Sequence, residues 1–164
     1  MPVHSKALCS DTWLAGFIDA DGSFGVELNA RRVLCRFRLV QRMEYPISSL
    51  VVHTEFDQSY RLIMSCIANY LCVKLNLRKQ LKSGRTYYII SASSVKSKKI
   101  LRAYHEKYPL LTSKFLDYLD WCYVDDLMLK QQHLTKENIT KINELKKSMN
   151  LFRTFICWDH LNLW

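Results

Sequence analysis

Glycine is scarce in this 164-residue chain, with four in all, and none sits in a cluster that could cradle a phosphate. ATP-driven chemistry therefore has no loop to run on. Long apolar runs are missing too: the longest, such as the one around Ile47 to His53, are broken by polar groups and fall far short of the roughly 18 residues a spanning helix needs. A soluble chain without a membrane partner is expected. The six cysteines, Cys9, Cys35, Cys66, Cys72, Cys122 and Cys157, contain no Cys-x-x-Cys pair, which argues against a disulfide scaffold or a zinc knuckle and leaves reduced packing residues. The five histidines, at His4, His53, His105, His133 and His160, lack the His-Glu-x-x-His spacing of zinc hydrolases. Met1 to Ser10 carries neither the apolar core of a secretory signal nor an Arg-rich amphipathic presequence, so import from outside an organelle is not expected.

What is present is hydrophobic mass and positive charge. At 49% hydrophobic residues the chain can bury one core, and a single domain over 1–164 is the expectation. Lys and Arg outnumber Asp and Glu by 24 to 15, a net charge of +9 that favours a polyanionic partner, nucleic acid first.

Periodicity gives an α+β order. A helix of about three turns should run from Thr12, capped by Ser10 or Asp11, and stop at Gly22, which is free to take a positive φ. Ser23 to Leu28 alternates, with Phe24, Val26 and Leu28 opposite Ser23, Gly25 and Glu27. Past a turn at Asn29 to Arg32, the run Leu34 to Gln41 alternates again, with Cys35, Phe37 and Leu39 opposite Arg36 and Arg38, which completes a hairpin with a cationic face. Met43 to Gln58 has no single period and reads as an irregular connection. Tyr60 to Leu75 has the helical stripe Leu62, Ile63, Ile67, Tyr70 and Leu71. Leu77 to Leu81 and Thr86 to Ala92 form a second hairpin, and helices follow over Ser94 to Lys107, Ser113 to Lys130 and Thr135 to Met149. The αββαββα unit occurs once, with a core over 12–130 and a helical tail over 134–164.

The first helix carries the most information. Gly16 and Ala20 lie four apart on one face and leave a groove where another backbone can approach, while Leu14, Phe17 and Ile18 point to the chain's own core. Asp21 falls in the last turn, where unpaired carbonyls disfavour a carboxylate by about 0.3–1 kcal/mol. A cation should compensate it, and a divalent metal held by carboxylate and backbone oxygens is the natural candidate. Asp19, two residues back, cannot point the same way and reads as capping or structural.

The nine residues Leu14-Ala15-Gly16-Phe17-Ile18-Asp19-Ala20-Asp21-Gly22 match LAGLIDADG except for Phe17 in place of leucine. The chain thus resembles the LAGLIDADG homing endonuclease family. The resemblance implies an αββαββα fold whose antiparallel β-saddle carries helices on the opposite face. It implies a homodimer in which the first helices pack about a two-fold axis through Trp13, Gly16 and Ala20. It further implies a metal-dependent double-strand break in a long, pseudo-palindromic duplex site, with short 3′ overhangs. Asp21 and the Ala20 backbone would hold Mg2+. Gln41, ending the second strand, would orient a water, and Lys114, which follows the stretch Tyr108-Pro109-Leu110-Leu111-Thr112-Ser113, would stabilise charge on the phosphate.

DNA binding would fall to Ser23, Gly25, Glu27, Asn29 and Arg31 of the first strand and its turn, and to Arg36 and Arg38 of the second. Arg78, Gln80, Lys82, Arg85 and Tyr87 of the second hairpin would complete the surface. The tail resembles that of relatives encoded in fungal mitochondrial introns, which implies action in the mitochondrion. Two alternatives stand beside this expectation. One is an RNA maturase that binds intron RNA on the same fold, and the other is one half of a two-motif endonuclease.

Overall fold

The computed structural model describes residues 10–29, 32–43, 60–81 and 83–163. The elements run α1 (Trp13–Asp21), β1 (Gly22–Asn29), β2 (Arg32–Arg42), α2 (Arg61–Tyr70), β3 (Leu75–Lys79), β4 (Thr86–Ala92), α3 (Val95–Lys107), α4 (Lys114–Leu129) and α5 (Lys136–Ser148). Short 3-10 turns follow at Asn150–Phe152 and Asp159–Leu163. The expected helix and hairpin order is the observed one. Of the irregular connection, all but Met43 lies in 44–59, outside the described residues, as do Ala30, Arg31 and Lys82.

The four strands form one antiparallel sheet in the order β1-β2-β4-β3. Alternation decides its two faces. Phe24 and Val26 of β1, Val33, Cys35, Phe37 and Leu39 of β2, and Tyr88, Ile90 and Ala92 of β4 are buried. The helices cover that face: α1 and α4 pack on β1 and β2, α2 on β3 and β4, and α5 on β1. Phe24 lies at the centre, its ring 5.3 Å from Phe37, 5.3 Å from Tyr118 and 5.5 Å from Trp121. Such tilted and edge-on pairs add about 0.5–1.5 kcal/mol each beyond their buried area.

Between α3 and α4 the buried Lys98 pairs with Asp125, while Arg102 reaches Asp125 at 3.3 Å and Asp126 at 2.6 Å. Removing one partner would strand a buried charge. Beyond α5, Arg153 clamps Asp117 at 2.7 Å and Asp120 at 2.5 Å on α4, and the Asn150 side chain donates to the Phe24 carbonyl at 3.0 Å. The tail is therefore anchored to α4 and to β1, an edge strand of the sheet.

Several expectations need correction. Gly22 has φ −75°, so it uses no left-handed conformation. It is glycine for want of room, because a Cβ would lie 2.7 Å from the Ile18 carbonyl and 3.0 Å from the Phe37 ring. Gly22→Ala should accordingly destabilise the fold by about 1–3 kcal/mol, since backbone must shift to admit the methyl. At roughly 2–4 °C per kcal/mol for a chain of this size, thermal unfolding would register the loss, and an unchanged melting temperature would contradict it.

Neither Ser10 nor Asp11 is the residue that caps α1: Thr12 occupies that position with no side-chain bond, although Asp11 Oδ1 accepts from the Trp13 N–H at 3.0 Å. A tertiary cap does further work. The Tyr104 hydroxyl of α3 accepts from the Ala15 N–H and donates to the Asp11 carbonyl, both at 2.9 Å. Phe17 is only half-buried and stacks on Trp13 at 5.1 Å, while Ala15 takes the core place beside Leu14 and Ile18.

α2 ends at Tyr70, short of Leu75, because the chain turns at Cys72 with φ +54°, and β3 starts two residues earlier than expected. Leu62 is exposed, its place in the stripe taken by Met64 and Ala68. Cys72 is exposed too, whereas Cys35 packs as expected, its thiol pushed up to about 12 by burial.

Candidate active site and nucleic-acid face

Three elements meet where α1 ends. Asp21 is the last residue of the helix and is exposed. The register pairs Gly22 with Leu39, so β2 continues past the helix end and carries Gln41 alongside it. The parity that turns Leu39 to the helical side turns Gln41 the same way, and its Nε2 donates to Asp21 Oδ2 at 2.5 Å. Lys114 opens α4, and its Nζ donates to the carbonyls of Ile18 at 2.9 Å and Asp19 at 2.6 Å.

The ammonium thus stands on the negative end of the α1 dipole, sharing the Ile18 carbonyl with the Gly22 N–H. It is the protein's own answer to the cation expected there. Burial holds the Lys114 pKa below the ordinary lysine value, and the nearby charges of Asp19, Asp21 and Asp117 oppose that shift.

Asp19 is turned to the chain that enters α4. Its carboxylate accepts from the N–H of Leu111 at 2.7 Å, and from the N–H and Oγ1 of Thr112 at 3.3 Å and 2.6 Å. The expected catalytic trio of Asp21, Gln41 and Lys114 is therefore brought together, with Ala20 beside it on α1. A divalent cation would find here an exposed carboxylate and main-chain oxygens, which are hard donors of the kind magnesium and calcium take. Among the described residues no group of three or more His, Cys, Asp and Glu side chains gathers into a cage.

Trp13, Gly16 and Ala20 share the exposed side of α1, and a Cβ built on Gly16 meets nothing within 4 Å. The groove foreseen at Gly16 and Ala20 is open.

On the sheet face away from the helices, register sets the rows. Gly25 stands opposite Arg36, and Arg38 stands between Ser23 and Ser91. Tyr87 stands between Arg42 and Arg78. Gln80 and Arg85 extend the outer ladder, with the Gln80 N–H donating to the Arg85 carbonyl at 2.8 Å. Gly84 closes that turn at φ +66°, which a Cβ would strain.

The strand residues expected to meet DNA do share one face, apart from Arg31 and Lys82, which lie outside the described residues. Glu27 is tied to Arg36 by an ion pair of 3.1 Å, and Asn29 lies opposite Arg32 at the far end of the hairpin. The sequence reading missed Arg32, Arg42 and Asn76, which the same parity places on this face. Extending the period-two count by one step at each strand end would have found Arg32 and Arg42. Thr112 had no such signal, because it meets Asp19 across 93 positions.

A family model for LAGLIDADG endonucleases matches residues 14–124. The chain belongs to that family. It is 32% identical to the intron-encoded DNA endonuclease aI3 of Saccharomyces cerevisiae, across 98% of this chain and 42% of that protein. It is 33% identical to the probable intron-encoded DNA endonuclease aI1 of Mycosarcoma maydis, across 72% of this chain and 94% of that one.

Among solved structures it is similar to the LAGLIDADG meganuclease I-AabMI bound to uncleaved DNA, with TM-score 0.64 and 26% identity over 86% of this chain and 45% of the other. It is also similar to the meganuclease I-SmaMI bound to DNA, with TM-score 0.67 and 25% identity over 88% and 45%. I-SmaMI has also been crystallised on its uncleaved target in the presence of calcium ions. The chain spans about two fifths of the first of these relatives and about 45% of the two meganucleases.

Proposed function

We propose that this LAGLIDADG protein is a site-specific DNA endonuclease that makes a double-strand break in a long, pseudo-palindromic duplex site and works as a pair of such units. The observation that carries this reading is the meeting of Asp21, Gln41 and Lys114 at the open end of α1. DNA held along the arginine-bearing strand face would pass this point. The meganucleases seen on DNA and the intron-encoded DNA endonucleases among its relatives support the same function.

In this reading the sheet face holds the duplex. Arg36, Arg38, Arg42 and Arg78 are fork-shaped donors suited to guanine edges, while Gln80 and Asn76 suit adenine. Arg31 and Lys82 add positive charge of the kind that suits phosphates.

At the site, Asp21 and the Ala20 carbonyl would hold Mg2+, which when bound supplies Lewis acidity and a more acidic water. Gln41 keeps the Asp21 carboxylate oriented and offers its amide oxygen to a water. Lys114, fixed on the α1 carbonyls, places a positive charge beside the phosphate oxygens as charge builds on them.

Two Asp21 carboxylates are brought together when two α1 helices pack along Trp13, Gly16 and Ala20, so that each unit serves one strand. A homodimer provides both units. A partner half of different sequence would do the same, and the half-length coverage of the meganucleases fits either arrangement. The intron-encoded fungal relatives support placing the protein in the mitochondrion.

The purified chain, incubated with a randomised duplex pool and magnesium, should enrich ends from one sequence family with paired cuts. No cleavage at any sequence, beside tight binding of intron RNA, would replace this function with splicing assistance. Lys114→Met should slow single-turnover cleavage by roughly 10²-fold or more while duplex affinity changes little, as expected when a donor engaged only in the transition state is lost. An unchanged rate would return Lys114 to a helix-capping role.

A further inference from the structure

Ser113 stands at the N-cap of α4, yet its side chain makes no capping bond. Acceptors reach the chain entering α4 from the other side of the site. Asp19 of α1 takes the N–H groups of Leu111 and Thr112 and the Thr112 hydroxyl. The Thr112 Oγ1 in turn accepts from the Lys114 N–H at 3.2 Å. The Lys114 ammonium then returns to α1, donating to the Asp19 carbonyl at 2.6 Å. These contacts close a ring from the Asp19 side chain through Thr112 and the Lys114 main chain to its ammonium, and back to the Asp19 main chain.

A free lysine samples many rotamers, whereas one tethered at both its amide and its ammonium keeps few. We propose that Asp19 and Thr112 are positioning residues whose contacts fix where the Lys114 ammonium stands at the end of α1. The proposal rests on the reading in which Lys114 acts in cleavage. Thr112 is exposed, and its hydroxyl is bonded on both sides within this corner, donating to Asp19 and accepting from the Lys114 N–H. Asp19 and Thr112 act through Lys114, and neither needs to meet the phosphodiester.

The test is a set of variants measured by single-turnover cleavage with magnesium and by duplex titration with calcium in its place. Thr112→Val removes the hydroxyl at nearly constant volume. It should slow cleavage by roughly ten- to a hundredfold, the scale of a small misplacement of a catalytic group, with duplex affinity unchanged. Thr112→Ser should restore the rate, and Asp19→Asn should slow it as Thr112→Val does.

The double variant Thr112→Val with Lys114→Met should be no slower than Lys114→Met alone, because residues acting through one another are not additive. A structural role would multiply the two losses. Thr112→Val at the wild-type rate beside a slowed Lys114→Met, or a multiplicative double variant, would overturn the proposal alone. Lys114→Met at the wild-type rate would overturn the reading beneath it as well.

Discussion

Asp21→Asn should leave no measurable double-strand cleavage, while the protein still folds and still binds duplex DNA. The carboxylate sits exposed at the end of α1, and the asparagine oxygen can still accept the bond from Gln41 Nε2, without the charge assistance. In the proposed function the substitution removes an anionic ligand for a divalent ion, whose action at a scissile phosphate would be worth several kcal/mol. At a factor of ten per 1.36 kcal/mol, the loss is on the order of 10³-fold or greater. Fold and affinity would be checked by thermal melting and by titration in calcium. Retained cutting would remove Asp21 from the chemistry.

Gly16→Leu should abolish assembly without harming the single chain. A Cβ on Gly16 meets no atom within 4 Å, so the new side chain projects into open space in the isolated unit. Leucine also favours a helix interior over glycine by about 1 kcal/mol, so the monomer should melt no lower than the parent. Between two close-packed helices the same side chain has no room, and overpacking costs about 1–3 kcal/mol per site, incurred twice across a two-fold axis. Sedimentation should therefore show a monomer, and cleavage should vanish with the dimer. An unaltered dimer would place the interface elsewhere.

How much of this was legible in the sequence differs from residue to residue. The sheet was, because period-two burial is a strong local signal: Phe24, Val26, Cys35, Phe37 and Leu39 alternate with residues that cannot be buried cheaply, and the core follows them. Ser94 and Thr135 cap α3 and α5 within their own segments, accepting from Ser97 and Asn138, so those helix starts were legible too. α1 was different. Its start is bound by Tyr104 and its end by Lys114, partners 89 and 96 positions away, and no local pattern encodes either.

Gly22 shows the same limit. The sequence offered a glycine at a helix end, and conformational freedom was the natural explanation. The cause is the space a Cβ would need, which the Ile18 carbonyl four residues back and the Phe37 ring from the neighbouring strand already fill; the second of these is a tertiary fact. Asp21 drew notice by itself, as a carboxylate at the unfavourable end of a helix, but Gln41 and Lys114 could be named only because the family resemblance supplied them, since a lone glutamine and a lone lysine carry no signal of their own. Their contacts at the end of α1 give the resemblance a physical basis.

The most direct measurement is of a mixed dimer, purified through two different tags, with one wild-type chain and one Asp21→Asn chain on a supercoiled plasmid carrying the selected site. If each Asp21 serves one strand across the helix pair, the plasmid will accumulate as the nicked circle, with almost no linear product. Linear product formed at the wild-type rate, or no nicking at all, would contradict the arrangement of one carboxylate per strand.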